Sequence, residues 1–246
     1  MFEKRTIDLR ALEMMGGREL ARVLARKTWR RIAAPFGHTL KYERAAIYGG
    51  IVVFDTPNLH GEGTSVGQDY IRALLELGFK RCESIFEFCA GPGYIGYSLL
   101  GHGFCEKLTL ADINPAAVEI AQKTARFNQL DQVVSIYESD CLDRIPEAEA
   151  WDLVVSNPPH FLPRDSNDKD IRVFDPDWSI HKRFYANVKR FMKPGGHVVM
   201  MENGKQSGVD FRPMIDGGGG AFVTERQGVD VTGKPNGMYY VVSRWE

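Results

Sequence analysis

Glu87-Phe88-Cys89-Ala90-Gly91-Pro92-Gly93-Tyr94-Ile95-Gly96 is the stretch on which the reading of this chain turns. The apolar run 84–88 has the length of a buried strand, and 94–100 after it reads as a helix. Gly91, Gly93 and Gly96 stand between them at G-x-G-x-x-G spacing, and Asp112 follows about twenty residues later at the end of the next strand. Glycines at such a turn let the main chain approach a ligand closely, and a carboxylate accepts hydrogen bonds from two ribose hydroxyls. The pattern points to an adenosine-bearing molecule across the carboxyl ends of parallel strands. By itself it leaves a nicotinamide cofactor and S-adenosylmethionine both open, beside a plain tight turn with no ligand.

Outward from this stretch, strand-like and helix-like segments alternate: 84–88 and 94–100, 107–111 and 115–128, then 133–137 and 151–156. A helix over 179–192, the turn Lys193-Pro194-Gly195-Gly196 and a strand over 197–202 complete the series. Such alternation predicts a parallel sheet covered by helices. The tail breaks the rule, because 221–230 and 238–245 are two strands with no helix between them, which predicts an antiparallel pair ending the sheet. Gly217 to Gly220 reads as a flexible connector. Upstream, 47–54 is one β-rich run, 56–67 a loop rich in Gly, Pro and Asn, and 66–77 a helix that Thr64 or Ser65 can cap.

The chain has 246 residues, 43% hydrophobic and 26% charged, which excludes a mostly disordered, collagen-like or coiled-coil protein. No run reaches the roughly 18 uncharged apolar residues of a membrane span, and the first residues lack an apolar signal core, so a cytoplasmic location is expected. Cys82, Cys89, Cys105 and Cys141 form no C-x-x-C pair, which predicts free thiols in a reducing compartment and no zinc site. The net charge of -1 is uneven. Residues 1–46 hold eleven Lys/Arg against five Asp/Glu, so they carry +6 and the remainder -7. This segment reads as a basic helical extension, 1–46, before a single domain, 47–246; its cationic flank is a solvated face or a surface for nucleic acid or an acidic protein.

The run Glu87 to Gly93 resembles the first motif of class I S-adenosylmethionine-dependent methyltransferases, with Cys89 where that motif often has glycine. The resemblance extends through Asp112-Ile113-Asn114-Pro115, Ser139-Asp140-Cys141 and Lys193-Pro194-Gly195-Gly196, and covers about 47–246. It implies an α/β fold with a Rossmann-like seven-stranded mixed sheet, helices on both faces and a C-terminal antiparallel strand pair. It also implies S-adenosylmethionine as cofactor. The residues implied to bind it are Glu87, Cys89, Ala90, Gly91 and Gly93 in the loop, Asp112 and Ile113 at the ribose, Asp140 and Cys141 at the adenine edge, and Asn157.

Asn157-Pro158-Pro159-His160 follows the apolar strand 151–156 directly. It resembles the Asn-Pro-Pro-aromatic motif of the small-domain methyltransferases that modify planar nitrogen, in nucleic-acid bases and in the glutamine amide of release factors, with His160 in place of the usual Tyr or Phe. Physical chemistry agrees with the likeness. An amide nitrogen has its lone pair delocalised, so its N–H groups must be held while that pair is directed at a methyl carbon. The Asn157 side-chain oxygen and the Pro158 carbonyl each accept one N–H, with proline restricting φ so that the carbonyl stays aimed. Asn157, Pro158 and His160 are therefore the expected catalytic residues, His160 as stacking partner or as a base whose ordinary pKa of about 6.5 permits proton exchange. The aspartates between 165 and 177 form an acidic loop that would repel phosphate, or else a merely solvated one.

The resulting expectation is methyl transfer from S-adenosylmethionine to a nitrogen of a protein amide or a small amine or amide. Alternatives are an RNA or DNA base amine held through the basic extension, a nicotinamide-dependent oxidoreductase, and a non-catalytic S-adenosylmethionine-binding protein. No metal, no nucleophile elbow and no phosphate-binding P-loop are expected; the oligomeric state is not written in the sequence.

Overall fold

The computed structural model describes residues 44–56, 59, 66–165, 167–168, 170–203, 209–229 and 234–246. The basic extension, apart from Arg44 to Ala46, and the Thr64 or Ser65 cap lie outside these residues. Elements in chain order are β1 (Arg44–Tyr48), β2 (Ile51–Asp55), α1 (Val66–Glu76), β3 (Ser84–Phe88), α2 (Tyr94–Gly101), β4 (Lys107–Asp112), α3 (Pro115–Phe127), β5 (Val134–Glu138), β6 (Trp151–Ser156), α4 (Ser179–Asn187), β7 (Met192–Glu202), α5 (Arg212–Gly217), β8 (Gly220–Val229) and β9 (Pro235–Trp245).

Seven strands form one mixed sheet in the order β5-β4-β3-β6-β7-β9-β8. The first five run parallel, and β9 pairs antiparallel with both β7 and β8. The chain moves outward from β3 through β4 to β5 and then returns to the other side of β3 with β6. A crevice opens outside the strand ends at such a reversal. Every residue of β3 is buried, as befits a central strand covered on both faces.

Alternation along the strands feeds two cores. Ile85, Leu153 and Val199 face Tyr70, Leu74, Leu99 and Ala121 of α1, α2 and α3. Their neighbours Phe86, Val154 and Val198 face Phe184 and Tyr185 of α4 and Ile215 of α5. Helices therefore cover both faces, as the sequence predicts. Helix α3 starts where it does because Asn114 accepts a hydrogen bond from Ala116 N–H at 3.0 Å and Pro115 needs no N–H partner.

Four expectations need correction. The 47–54 run is a hairpin, β1 and β2 turning at Gly49-Gly50 and forming a separate two-stranded sheet. It is held against α3 by Asn128, whose side chain bonds both the N–H and the carbonyl of Val52, and by Thr124, which accepts from Phe54 N–H at 3.0 Å. The helix expected over 179–192 ends at Asn187, whose amide donates to the Arg183 carbonyl, and a single 3-10 turn, Val188–Phe191, follows.

Lys193 to Gly196 is no turn before a strand. It is a bulge inside β7, across which pairing to β6 jumps from Trp151–Met192 to Leu153–His197. Finally, the glycines at 217–220 are not a loose connector. Gly217 ends α5, a helix the sequence reading missed, and a Cβ on Gly218 would lie 2.0 Å from the Tyr185 carbonyl oxygen while one on Gly220 would lie 2.7 Å from the Trp245 ring. They are glycines because backbone and indole press against them.

Candidate functional site

A cavity of about 380 Å³ lies at the carboxyl ends of β3, β4 and β6, within the roughly 300–1,000 Å³ usual for small-molecule sites. Glu87, Cys89, Ala90, Gly91, Asp112, Ile113, Asp140, Cys141, Asn157, Pro158 and His160 all line it. Gly93 does not. Its φ of +82° makes the turn into α2, and a Cβ there would lie 2.8 Å from Tyr97 and 2.9 Å from Leu110, so it lets helix pack on strand.

Glu87 works beneath the loop. Helix α2 has no side-chain cap at Gly93, and the Glu87 carboxylate supplies the acceptors instead, taking N–H bonds from Gly96 at 2.7 Å and Ile95 at 3.3 Å. Burial pushes this carboxyl up to about 8, against those two N–H groups. Asp112 fixes the other side of the loop, accepting from Gly91 N–H at 2.7 Å and Asn114 N–H at 2.9 Å. Burial raises its pKa too, and the backbone N–H groups oppose the rise.

Cys89 has φ of +52°, as does Cys141 across the cavity. A left-handed backbone favours glycine, which gives the usual glycine of the motif at position 89 its physical reason. Burial holds the Cys89 thiol well above its ordinary range and pushes Cys141 up to about 12, so neither is a ready nucleophile. Asp140 is exposed at the rim and paired with Arg183 at 3.0 Å, so its carboxylate is shared with that guanidinium. Ile113 stands half exposed at the mouth.

At the acceptor side, Ser156 ends β6 with its hydroxyl donating to the Phe88 carbonyl at 2.6 Å, and the chain then passes into Asn157. Asn157 Oδ1 is buried and has no hydrogen-bond partner. Such an atom costs about 1–3 kcal/mol, so it marks a place where stability gives way to something else. His160 is 6% exposed. Burial, then the positive charge of His181, push it down to about 4 against the backbone of Met201 and Pro158, so it is neutral near pH 7 and a weak base. Of the two roles expected for it, a low basicity favours the stacking one; its ring is a wall of the cavity, edge-on to Phe161.

The part of the wall formed by Ile171, Arg172 and Val173 was missed by sequence reasoning. Phe161 donates its N–H to Val173 at 3.1 Å and its carbonyl accepts from Asp175 at 2.8 Å, which brings Ile171, Arg172 and Val173 to the cavity. Asp175 is fully buried and bonded to His181 Nδ1 at 2.6 Å, and His181 Nε2 meets Glu202 at 2.9 Å. Burial opposes a charge on His181, yet Glu202 and Asp175 together push it up to about 9. The loop aspartates have local work: Asp170 pairs with Arg172, Asp168 accepts from Arg164 N–H and Asp165 from Asn167 N–H. Of these, Asp170 has its charge paired; Asp165 and Asp168 hold backbone turns of the loop. Among the described residues, no cluster of His, Cys, Asp or Glu is arranged to hold a metal, and no helix is long and apolar enough to cross a membrane.

Residues 71–211 match the model of the methyltransferase small domain. The chain belongs to that family. The family is one of class I S-adenosylmethionine-dependent methyltransferases, and the glycine loop and the acid ending β4 meet in one cavity here. The chain is 27% identical over 176 residues to a release factor glutamine methyltransferase of Koribacter versatilis, covering 67% of this chain and 59% of that one. It is 28% identical over 152 residues to a putative protein N5-glutamine methyltransferase of Methanocaldococcus jannaschii, covering 59% of this chain and 74% of that protein. The chain spans 59% and 49% of the release factor methyltransferases of Koribacter versatilis and Clostridium acetobutylicum. In fold it is similar to the 16S rRNA N2 G1207 methyltransferase of T. thermophilus in complex with AdoMet and guanosine, with a TM-score of 0.59, 17% identity and coverage of 83% of this chain and 50% of that one.

Proposed function

We propose that this small-domain methyltransferase methylates the nitrogen of a protein carboxamide, a glutamine side chain being the nearest chemistry among its relatives. The buried, unpartnered Asn157 oxygen in the cavity carries the reading, because it is an acceptor kept waiting for a donor. When bound, S-adenosylmethionine supplies an electrophilic methyl with a neutral thioether as leaving group.

The chain's own part is positioning. The Asn157 oxygen and the Pro158 carbonyl hold the two amide N–H groups, so the nitrogen keeps one orientation and its electron pair faces along the line of transfer. Glu87 and Asp112 keep the glycine loop in place through its backbone N–H groups. A neutral His160 covers the planar acceptor without competing for its proton, which becomes acidic once nitrogen carries the methyl and passes to water. The domain limits 47–246, the loop and rim residues as donor contacts, and a cytoplasmic location for a chain whose described thiols are free belong to the same proposal.

The test is incubation with isotopically labelled methyl donor and separate protein, RNA and small-molecule pools. Label on a protein amide nitrogen is expected. Label on a base amine would replace the acceptor, and label on oxygen or carbon would overturn the nitrogen assignment.

A further inference from the structure

We propose that Tyr70 is a positioning residue for the acceptor-holding turn, acting from outside the cavity; this rests on the role given above to Asn157. Tyr70 sits on α1, is fully buried, and has its ring edge-on to Tyr240 at 5.1 Å. Its hydroxyl lies between two neighbouring parallel strands. It accepts from Ser156 N–H at 3.1 Å, reaches the Val199 carbonyl at 3.0 Å, and contacts the Ser156 carbonyl.

With Ser156 paired to Met200, a parallel ladder would send Ser156 N–H towards the Val199 carbonyl. The phenol bridges these two groups. On the opposite side the Ser156 hydroxyl is tied to the Phe88 carbonyl of β3. Ser156 is therefore pinned from both flanks, and the next residue is Asn157. A phenol is not needed to fill this space, since Phe would pack equally against Tyr240. The hydroxyl is needed to set where β6 stops, and with it the direction in which the Asn157 oxygen and the Pro158 carbonyl leave the strand. An acceptor pair displaced by even a fraction of an ångström misdirects the nitrogen lone pair, which lowers turnover without touching the donor site.

The experiment compares Tyr70→Phe, Asn157→Ala and the double variant in three measurements: S-adenosylhomocysteine affinity by calorimetry, methyl transfer, and amide hydrogen exchange at Ser156. For Tyr70→Phe the expected result is an affinity within about twofold, kcat lower by at least about tenfold, and faster exchange at Ser156. In the Asn157→Ala background it should lower kcat no further, because the two residues act as one unit. Unchanged kcat, or losses that multiply in the double variant, would overturn the proposal. If Tyr70→Phe does not fold, Ser156→Ala frees the other flank of the same residue, and full turnover in that variant counts equally against it. If the unaltered protein methylates nothing, the functional reading fails alone, and the exchange rate at Ser156 still decides whether Tyr70 sets the turn.

Discussion

Replacing Asn157 by alanine should make the protein slightly more stable and much less active. The side chain is half buried, and truncation loses packing worth about one methylene, roughly 0.8 kcal/mol. Against that, it removes a buried oxygen that bonds to nothing, which relieves about 1–3 kcal/mol. The balance favours the variant by roughly 0–2 kcal/mol in the ligand-free protein, or up to about 4–8 °C in Tm at the 2–4 °C per kcal/mol expected of a chain this long. Methyl transfer should fall at least about tenfold, equivalent to roughly 1.4 kcal/mol of lost transition-state stabilisation. Differential scanning calorimetry without ligand and a labelled-donor assay measure the two effects on one preparation. A Tm several degrees below the parent would mean that Asn157 holds structure together, and unaltered turnover would remove it from the chemistry. Opposite signs in the two readouts are what separate a functional acceptor from a structural one.

The two buried histidines should bend the stability profile in opposite directions. His160, lowered to about 4 from 6.5, contributes stability that is complete above pH 6.5 and lost as pH falls through 4, whereas His181, raised to about 9, contributes stability that is complete below 6.5 and lost as pH rises through 9. The two histidines alone would make Tm decline on both sides of about pH 6.5, and His160→Phe should change the acid slope by removing the part that rises between about pH 4 and 6.5; an unchanged acid slope would refute the assignment. Glu87, raised to about 8, opposes His160 on the acid side and adds to His181 on the alkaline side, because its contribution is complete below its ordinary 4.5 and lost as pH rises through 8; Glu87→Gln should steepen the rise of Tm between about pH 4.5 and 6.5 and flatten its fall between 6.5 and 8, checked by melts across both ranges. Gly93→Ala places a Cβ against Tyr97 and Leu110 at a left-handed φ, so chemical denaturation should show a loss of roughly 2–4 kcal/mol, and a loss under 1 kcal/mol would contradict the packing account. Asp112→Ala should weaken S-adenosylhomocysteine binding at least about tenfold by calorimetry, with unchanged affinity counting against its place at the ribose.

Strand 84–88 and strand 151–156 could be read to the residue because each is a short apolar run closed by turn residues, and local pattern suffices there. The helix α3 start was equally plain in Asn114-Pro115. What escaped depends on partners distant in sequence. Gly49-Gly50 is a legitimate two-residue hairpin turn, but β-branched residues on either side hid it within one run. Asp210 accepting from Arg212 N–H at 3.1 Å, just ahead of Pro213, starts α5, which at six residues is too short for periodicity to register. The motif placed His160 in the cavity, yet its weak basicity comes from burial and from His181, which no spacing reveals. Nor could the loop aspartates be divided between a buried clamp and local pairs before Asp175 was seen against His181.

The order of the sheet has a consequence for how the chain reaches it. Strand β9 is inserted between β7 and β8, although it follows both along the chain. Until residues 235–245 leave the ribosome, β8 has no neighbour to bond, and the flank of β7 presents a row of open amides and carbonyls beside finished parallel strands. The nascent polypeptide must wait with this seam uncovered, so synthesis paused shortly before β9 yields the species most prone to stick to its own copies.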